Sequence, residues 1–465
     1  MKRATTRSEN QRVQGATRWQ RAAVTAALAV LLAPAGAAGL GEIYDLARAS
    51  DAQFAAAKAA VAAGREKVAQ GRAGLLPTIT LAGNWRKAHD RSNDSNIIGS
   101  GSADDLTVVR NYDSNSMSMN VTQPLLRRVN VETYAQAELQ ALLAEQQLKV
   151  AEQELLLRVS RGYFEVLQAQ DALGSVTAQK GAFAQQLAQA RRSFEVGLAP
   201  ITDVNEAQSR HDLTVAQEIA ARNDLELKRR TLEKSIDQDL PALDLLDDQA
   251  AIDLIGEGHL KALVERAPDD SLQVALGLTA EQIARREVSR QDAAHLPTID
   301  LVLNYNENRN GTFGTTGRPS TLRSSSIGVD ISFGVYQGGV VLSRSREAVA
   351  NLERARQELL NARRQARLDS RQAYLGVQSG SALHVALRQA LSSSETQVRS
   401  TRRGFEVGVR TRVDVLNAEQ QLYATKKDLA ASRYQTLVAG LQLKAAAGVL
   451  TEFDLRGLDR LLKPQ

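Results

Sequence analysis

The side chains able to do chemistry in this sequence are few and poorly spaced for catalysis. Its five histidines, His89, His211, His259, His295 and His384, are scattered without metal-ligand spacing, and there is no cysteine, HExxH pair or Walker A loop. Gly99-Ser100-Gly101 sits in a polar stretch between alternating segments, where a flexible turn is a better reading than a phosphate cradle. Arg363, Arg364 and Arg367 share a helical stretch with Glu353, Glu358 and Asp369, as on a solvated or intersubunit helix face. What remains is charge beside two tight turns: Asp203 and Glu206 follow Gly197-Leu198-Ala199-Pro200, and Arg410, Thr411 and Asp414 follow Gly408. Asp203-Val-Asn-Glu206 and Thr411-Arg-Val-Asp414 both read as capping boxes. Such groups can also pair across helices. No catalytic residue, cofactor or metal site is predicted.

The elements that position these residues come from a tandem repeat. Residues 191–208, RRSFEVGLAPITDVNEAQ, align without gaps onto 402–419, RRGFEVGVRTRVDVLNAE, with nine identities in eighteen positions. Upstream, 72–85 matches 292–305 with seven identities in fourteen. In each copy Pro77 or Pro297 opens a period-two stretch: Ile79, Leu81, Gly83 and Trp85 in one, Ile299, Leu301, Leu303 and Tyr305 in the other. Met117, Met119 and Val121, and then Ile327, Val329, Ile331 and Phe333, supply the second strands. The Gly, Ser, Asn and Asp clusters at 91–105 and 308–320 read as exposed hairpin loops.

Proline is then absent from about Val131 to Val196 and from about Val341 to Val407, and roughly 66 helical residues would reach about 100 Å. Gly197 and Gly408 close these runs, and Pro200 opens one return, the usual asymmetry of helix ends. Narrow Ala, Leu and Val seams suit coiled-coil packing. Each copy is therefore a β-hairpin followed by a very long α-hairpin. Four amphipathic strands cannot close, and an open edge is not tolerated in lipid. Two chains would give an eight-stranded barrel filled by side chains, so a conducting pore needs at least three.

Composition agrees with an exported chain. The 465 residues carry 58 Lys and Arg against 53 Asp and Glu, but residues 1–37 hold six bases and one acid, Glu9, which leaves 52 against 52. That leader, with its basic start, the apolar run Ala22 to Ala33 and the small residues Ala35-Gly36-Ala37, reads as a secretory signal peptide. The remainder is neutral overall, and no nucleic-acid partner is expected. Only 4% of residues are aromatic, which favours alanine-rich helix packing over a broad core.

The order of signal peptide, LP-started strand, strand ending in QPLL, long helix, FEVG turn and DV-start return helix, repeated twice, closely resembles TolC-type outer-membrane efflux and secretion channels. EQIARREVSRQDAAHLPTIDL at 281–301 is typical of TolC members of that family. The resemblance implies a mainly α fold with a β-barrel. A homotrimer would form a twelve-strand barrel in outer-membrane lipid and a twelve-helix tunnel in the periplasm of a Gram-negative cell. It implies a passive duct for small molecules, drugs among them, or type I secreted proteins. Its partners would be a periplasmic adaptor of the membrane fusion type and an inner-membrane pump of ABC or RND type. The alternative is a non-channel periplasmic coiled-coil adaptor or structural protein.

The domains expected are a signal peptide (1–37) and a first repeat (38–236, strands about 78–124, helices about 128–236). An equatorial or linker segment (237–280), a second repeat (281–447, strands about 298–333, helices about 341–447) and an equatorial tail (448–465) follow.

The same resemblance assigns residues to a gate at the helix turns Gly197, Pro200 and Gly408. Arg410 matches the arginine that ties neighbouring helices shut, Thr202 and Asp203 match its partners, and Phe405 stands where TolC members carry a tyrosine of the same network. Phenylalanine has no hydroxyl, so that hydrogen bond is missing. Asp414 matches the aspartate at the entrance constriction. Asn417 replaces a second aspartate, which implies weaker cation selectivity and weaker block by multivalent cations.

Overall fold

The computed structural model describes residues 37–93, 107–247, 257–313 and 318–463. The leader, apart from Ala37, and Gly99-Ser100-Gly101 lie outside these residues. The chain is mainly helical. Two helices precede the first strand, α1 (Leu40–Ser50) and α2 (Ala52–Ala73), and are followed by β1 (Thr78–Asn93), β2 (Thr107–Leu126), α3 (Arg128–Glu195) and α4 (Ile201–Ile236). Next come β3 (Leu245–Leu246), α5 (Glu257–Asp270), α6 (Leu272–Asp292), β4 (Thr298–Phe313) and β5 (Arg318–Ser332). The last elements are α7 (Val340–Glu406), α8 (Arg412–Ala446), α9 (Glu452–Asp459) and β6 (Leu462–Lys463).

Helices α3 and α7 run for 68 and 67 residues, each about 100 Å at 1.5 Å per residue, because neither contains a proline and alanine, glutamine and arginine keep helix propensity high. They form one layer with their neighbours. In the half nearer the strands the order is α2, α3, α6, α7; in the half nearer the turns it is α4, α3, α8, α7. The layer thus ends on α2 and α4 at one flank and on α7 at the other. Small residues set the spacing of α2 on α3: a Cβ built on Gly71 would lie 2.8 Å from the Ala137 Cβ, and one on Gly64 would lie 2.6 Å from that of Ala144.

The main core sits near the middle of α3. Leu155, Val159, Tyr163, Phe164 and Leu167 pack there with Tyr44 and Ile43 of α1, Leu232 of α4, Tyr434 and Leu437 of α8 and Leu455 of α9. Tyr163 and Phe164 meet edge to face at 5.7 Å. Chain ends are tied into this belt: β3 pairs with β6, and the Tyr163 hydroxyl donates to the carbonyls of Asp244 (3.0 Å) and Ala38 (3.2 Å). Residues 237–280, read as an equatorial or linker segment, contain β3, α5 and the first turns of α6.

The four long strands form one antiparallel sheet in the order β1-β2-β4-β5. The expected loops 91–105 and 308–320 are corrected in part, since β1 runs to Asn93, β4 to Phe313, and β5 starts at Arg318. Main-chain pairing continues where both faces have become polar, and there the period-two signal disappears although the ladder does not. Pro124 is accommodated within β2 by a register shift between Pro124 and Leu126.

Candidate functional site

Two regions combine unusual exposure with defined chemistry, the sheet and the helix turns at the far end of the layer. In the sheet, cross-strand partners lie on one face, and the register stacks Ile79, Val121, Leu303 and Ile327 in a single row. The neighbouring rows add Leu81, Met119 and Tyr305 on one side and Leu301 and Val329 on the other. These side chains face outward without a covering layer: Ile327 is 70% exposed, Ile331 69% and Leu81 65%. The opposite face of the same rows carries Thr80, Asn120, Asn304 and Ser326. Above the apolar rows the outward face becomes charged, with Glu307 accepting from Arg309 at 2.7 Å and from Arg323 at 3.1 Å. A sheet with one dry and one wet face, ending in charge, has the pattern of a membrane barrel wall. No helix of the described residues is long and apolar enough to cross a membrane.

At the turns, both outgoing helices end in the same way. Gly197 (φ +75°) and Gly408 (φ +79°) take left-handed conformations, and the next amide reaches back to close the last turn: Leu198 N–H donates to Ser193 O at 2.8 Å, Val409 N–H to Gly404 O at 2.8 Å. The returning helices start differently. Thr411 caps α8 in a complete box, accepting from Asp414 N–H at 3.2 Å while Asp414 Oδ2 accepts from Thr411 N–H at 2.9 Å. That backbone bond, then the Thr411 hydroxyl, holds the Asp414 carboxyl below the usual aspartate range. The box expected at Asp203-Val-Asn-Glu206 does not form. Pro200, extended at ψ 157°, is the residue before α4 and offers neither a side-chain oxygen nor an N–H, so the helix begins at Ile201 without a box and Asp203 lies inside the first turn, while Glu206 accepts from Arg210 Nε at 2.9 Å.

The predicted gate residues divide into two groups. Arg410, Asp414 and Asn417 line one open groove of about 650 Å³ between α7 and α8, together with Ser400 and Thr401. Asn417 also accepts from Arg210 Nη2 of α4 at 3.2 Å. Asp203 and Phe405 meet elsewhere, around Arg412. The Arg412 side chain is only 3% exposed, its Nε lies 3.4 Å from Asp203 Oδ2, and its guanidinium sits 4.7 Å above the Phe405 ring. Thr202 is exposed beside this contact. Within one chain, therefore, Asp203 is brought to Arg412 and not to Arg410, which makes no ion pair among the described residues.

Sequence reasoning missed Arg412 and, one heptad along the same face, Glu419. Val415, Leu416 and Glu419 are buried with Arg412 on the side of α8 turned to its neighbours. The Glu419 Oε1 accepts from Arg402 of α7 (Nη2 at 2.6 Å, Nε at 3.0 Å) and from Gln186 of α3 at 3.3 Å. Below them Phe183, Leu187, Ala190, Ala207 and Leu416 form a small apolar cluster joining α3, α4 and α8. The repeat held a usable signal, because the position of Arg412 is occupied in the first copy by Ile201. A charge at a seam position is a candidate for a function beyond packing.

Comparison with known proteins agrees with this architecture. The model of the family described as outer membrane efflux protein matches residues 43–237 and 264–449. The outer membrane protein TolC of Vibrio cholerae is 33% identical over 444 residues, covering 95% of this chain and 97% of that protein. The alkaline protease secretion protein AprF of Pseudomonas aeruginosa is 32% identical, covering 92% of this chain and 88% of that one. Among solved structures, the outer membrane protein VceC of Vibrio cholerae superposes with a TM-score of 0.72 at 17% identity, over 88% of this chain and 96% of its own. With its family matched over both repeats, this chain belongs to the outer membrane efflux proteins, which are transport proteins and not enzymes.

Proposed function

We propose that three copies of the chain assemble into a passive exit duct of the outer membrane, with the sheets closing a twelve-strand barrel and the helices continuing it as a periplasmic tunnel. The observation that carries this reading is the sheet, apolar outside and Ser-, Thr- and Asn-lined inside, with β1 and β5 as edges. An open edge in lipid would leave a row of amides and carbonyls unsatisfied, at several kcal/mol each in hydrocarbon. The helical layer has matching free flanks on α2, α4 and α7, so one rotation can close both levels.

The turns would then lie at the periplasmic entrance. Arg410 is exposed there and available to Thr202 and Asp203 of a neighbouring chain, and Asp414 with Asn417 lines the way in. A gate built from such links, each contributing about 0–1 kcal/mol, can be opened by modest contacts from an adaptor. An inner-membrane pump of ABC or RND type would select the cargo, whether a small molecule or a type I secreted protein. Similarity to a protease secretion protein and membership of the outer membrane efflux proteins support both cargo classes.

The test is direct. The mature protein should fractionate with the outer membrane as a heat-resistant trimer and conduct ions in planar bilayers, and substitution of Arg410 should raise its conductance. A monomer in the periplasmic fraction, or a trimer without conductance, refutes the duct.

A further inference from the structure

Arg412 is the most poorly satisfied charge in the described structure. Its side chain is 3% exposed, and its Nε and Nη1 atoms are both buried without a hydrogen-bond partner. It belongs to α8, touches the Phe405 ring of α7, and has Asp203 of α4 as its ion-pair partner at 3.4 Å, too poorly aligned for a hydrogen bond. A guanidinium carries five N–H donors and loses a strong hydration shell when buried, a loss that one misaligned carboxylate and one ring face do not offset. Any motion that parts α8 from α4 returns water to this group.

We propose that Arg412 poises the closed tip for opening: its burial opposes closure, and Asp203 is the restraint that holds it dry. Arg412 is thus a positioning residue whose effect has the opposite sign from that of an ordinary latch. This rests on the duct reading, with the helix turns as entrance. In an ordinary latch, removing either partner opens the gate. Here the two partners differ. Asp203→Asn leaves the buried cation with no countercharge, and opening relieves it. Arg412→Met keeps an unbranched chain on the Phe405 ring, needs no water, and favours the closed state.

The experiment is single-channel recording of purified full-length trimers in planar bilayers, with the open fraction as readout for the wild type, Asp203→Asn, Arg412→Met and the double variant. The expected result is an open-to-closed ratio raised about tenfold by Asp203→Asn and lowered at least threefold by Arg412→Met. The opening caused by Asp203→Asn should shrink at least threefold when made in the Arg412→Met background. Arg412→Met should also assemble into heat-resistant trimers at least as well as wild type, because it replaces an unsatisfied charge by an apolar chain. The proposal is overturned if Arg412→Met opens the channel or leaves it unchanged, if it fails to assemble, or if Asp203→Asn acts equally in both backgrounds. A wild type that does not conduct at all overturns the duct reading instead, which separates the two failures.

Discussion

Placing an arginine on the outward face of β5 tests the membrane assignment of the sheet most sharply. Ile327 is 70% exposed and stands in the row Ile79, Val121, Leu303, Ile327. Along β5 the first charged residue on this face is Arg323, four positions before it, and the apolar residues Val329, Ile331 and Phe333 follow it. The ten residue steps from Arg323 to Phe333 at about 3.4 Å span about 34 Å along the strand, or about 26 Å of height at a tilt near 40°, so Ile327 sits well inside the apolar band. An arginine at that depth costs about 2–4 kcal/mol per chain, about 6–12 kcal/mol for three copies. Ser326, one residue away, points to the opposite, polar face with Asn304 and Asn120, and Arg there should cost close to nothing. Both variants would be refolded into phospholipid vesicles across a urea series, with heat-resistant trimer scored by gel mobility. The expected outcome is a strongly lowered urea midpoint for Ile327→Arg and a near-native one for Ser326→Arg. Equal midpoints for the two would refute the assignment of faces and the barrel with it.

Other substitutions probe the helices and the entrance. Gly71→Ala should lower thermal stability, because its Cβ would lie 2.8 Å from that of Ala137, whereas Gly181→Ala, with no neighbour within 4 Å in the interior of α3, should raise it by about 0.5–1 kcal/mol; differential calorimetry reads both signs. Asn417→Asp should increase cation selectivity only slightly, since the new carboxylate would stand where Asn417 now accepts from Arg210 at 3.2 Å, and combining it with Arg210→Gln should give the larger shift in reversal potential across a salt gradient. An equal shift in single and double variants would count against that pairing. Asp414 has a depressed folded pKa, so its contribution to the start of α8 is present above the unfolded aspartate value near about 3.9 and is lost as pH falls below it. Protection of the Val413 to Val415 amides, corrected for the intrinsic exchange rate, should fall on acidification below about pH 4, and Asp414→Asn should abolish that pH dependence.

Much of this architecture was legible because it rests on one-dimensional signals. Period-two runs such as Ile299, Leu301 and Leu303 mark strands, and a proline-free stretch of more than sixty residues leaves little but a long helix. The helices α1 and α2 were not singled out, since an alanine-rich sequence such as AAAKAAVAAG has no broad apolar stripe; its packing depends on Gly64 and Gly71 meeting alanines of α3. The pairing within the belt was illegible for another reason. Pairing Leu245 with Lys463, and Ala38 with Leu243, joins segments of two or three residues across the length of the chain, and such short runs carry no period of their own.

The turns show where motif reading stops being reliable. Asp203 and Asp414 occupy equivalent positions in the two repeats, yet one carboxylate caps its own helix and the other faces a buried arginine on a different helix. The divergence follows from the residue three places earlier, where Pro200 cannot donate or accept through a side chain and Thr411 does both. Once its local role is lost, Asp203 is free to take a tertiary one, and Arg412, at the place where the first repeat has Ile201, is the cation that gives it one. Two turns that close in the same way thereby become unequal partners. If the tip opens by parting α8 from α4, the Asp203–Arg412 contact must break, while the Arg402–Glu419 contact lies within the α7–α8 hairpin and can survive. Opening should therefore expose position 412 to solvent well before position 402 changes its environment. In the cysteine-free chain, Arg412→Cys should react faster with a charged thiol reagent under conditions that raise the open fraction.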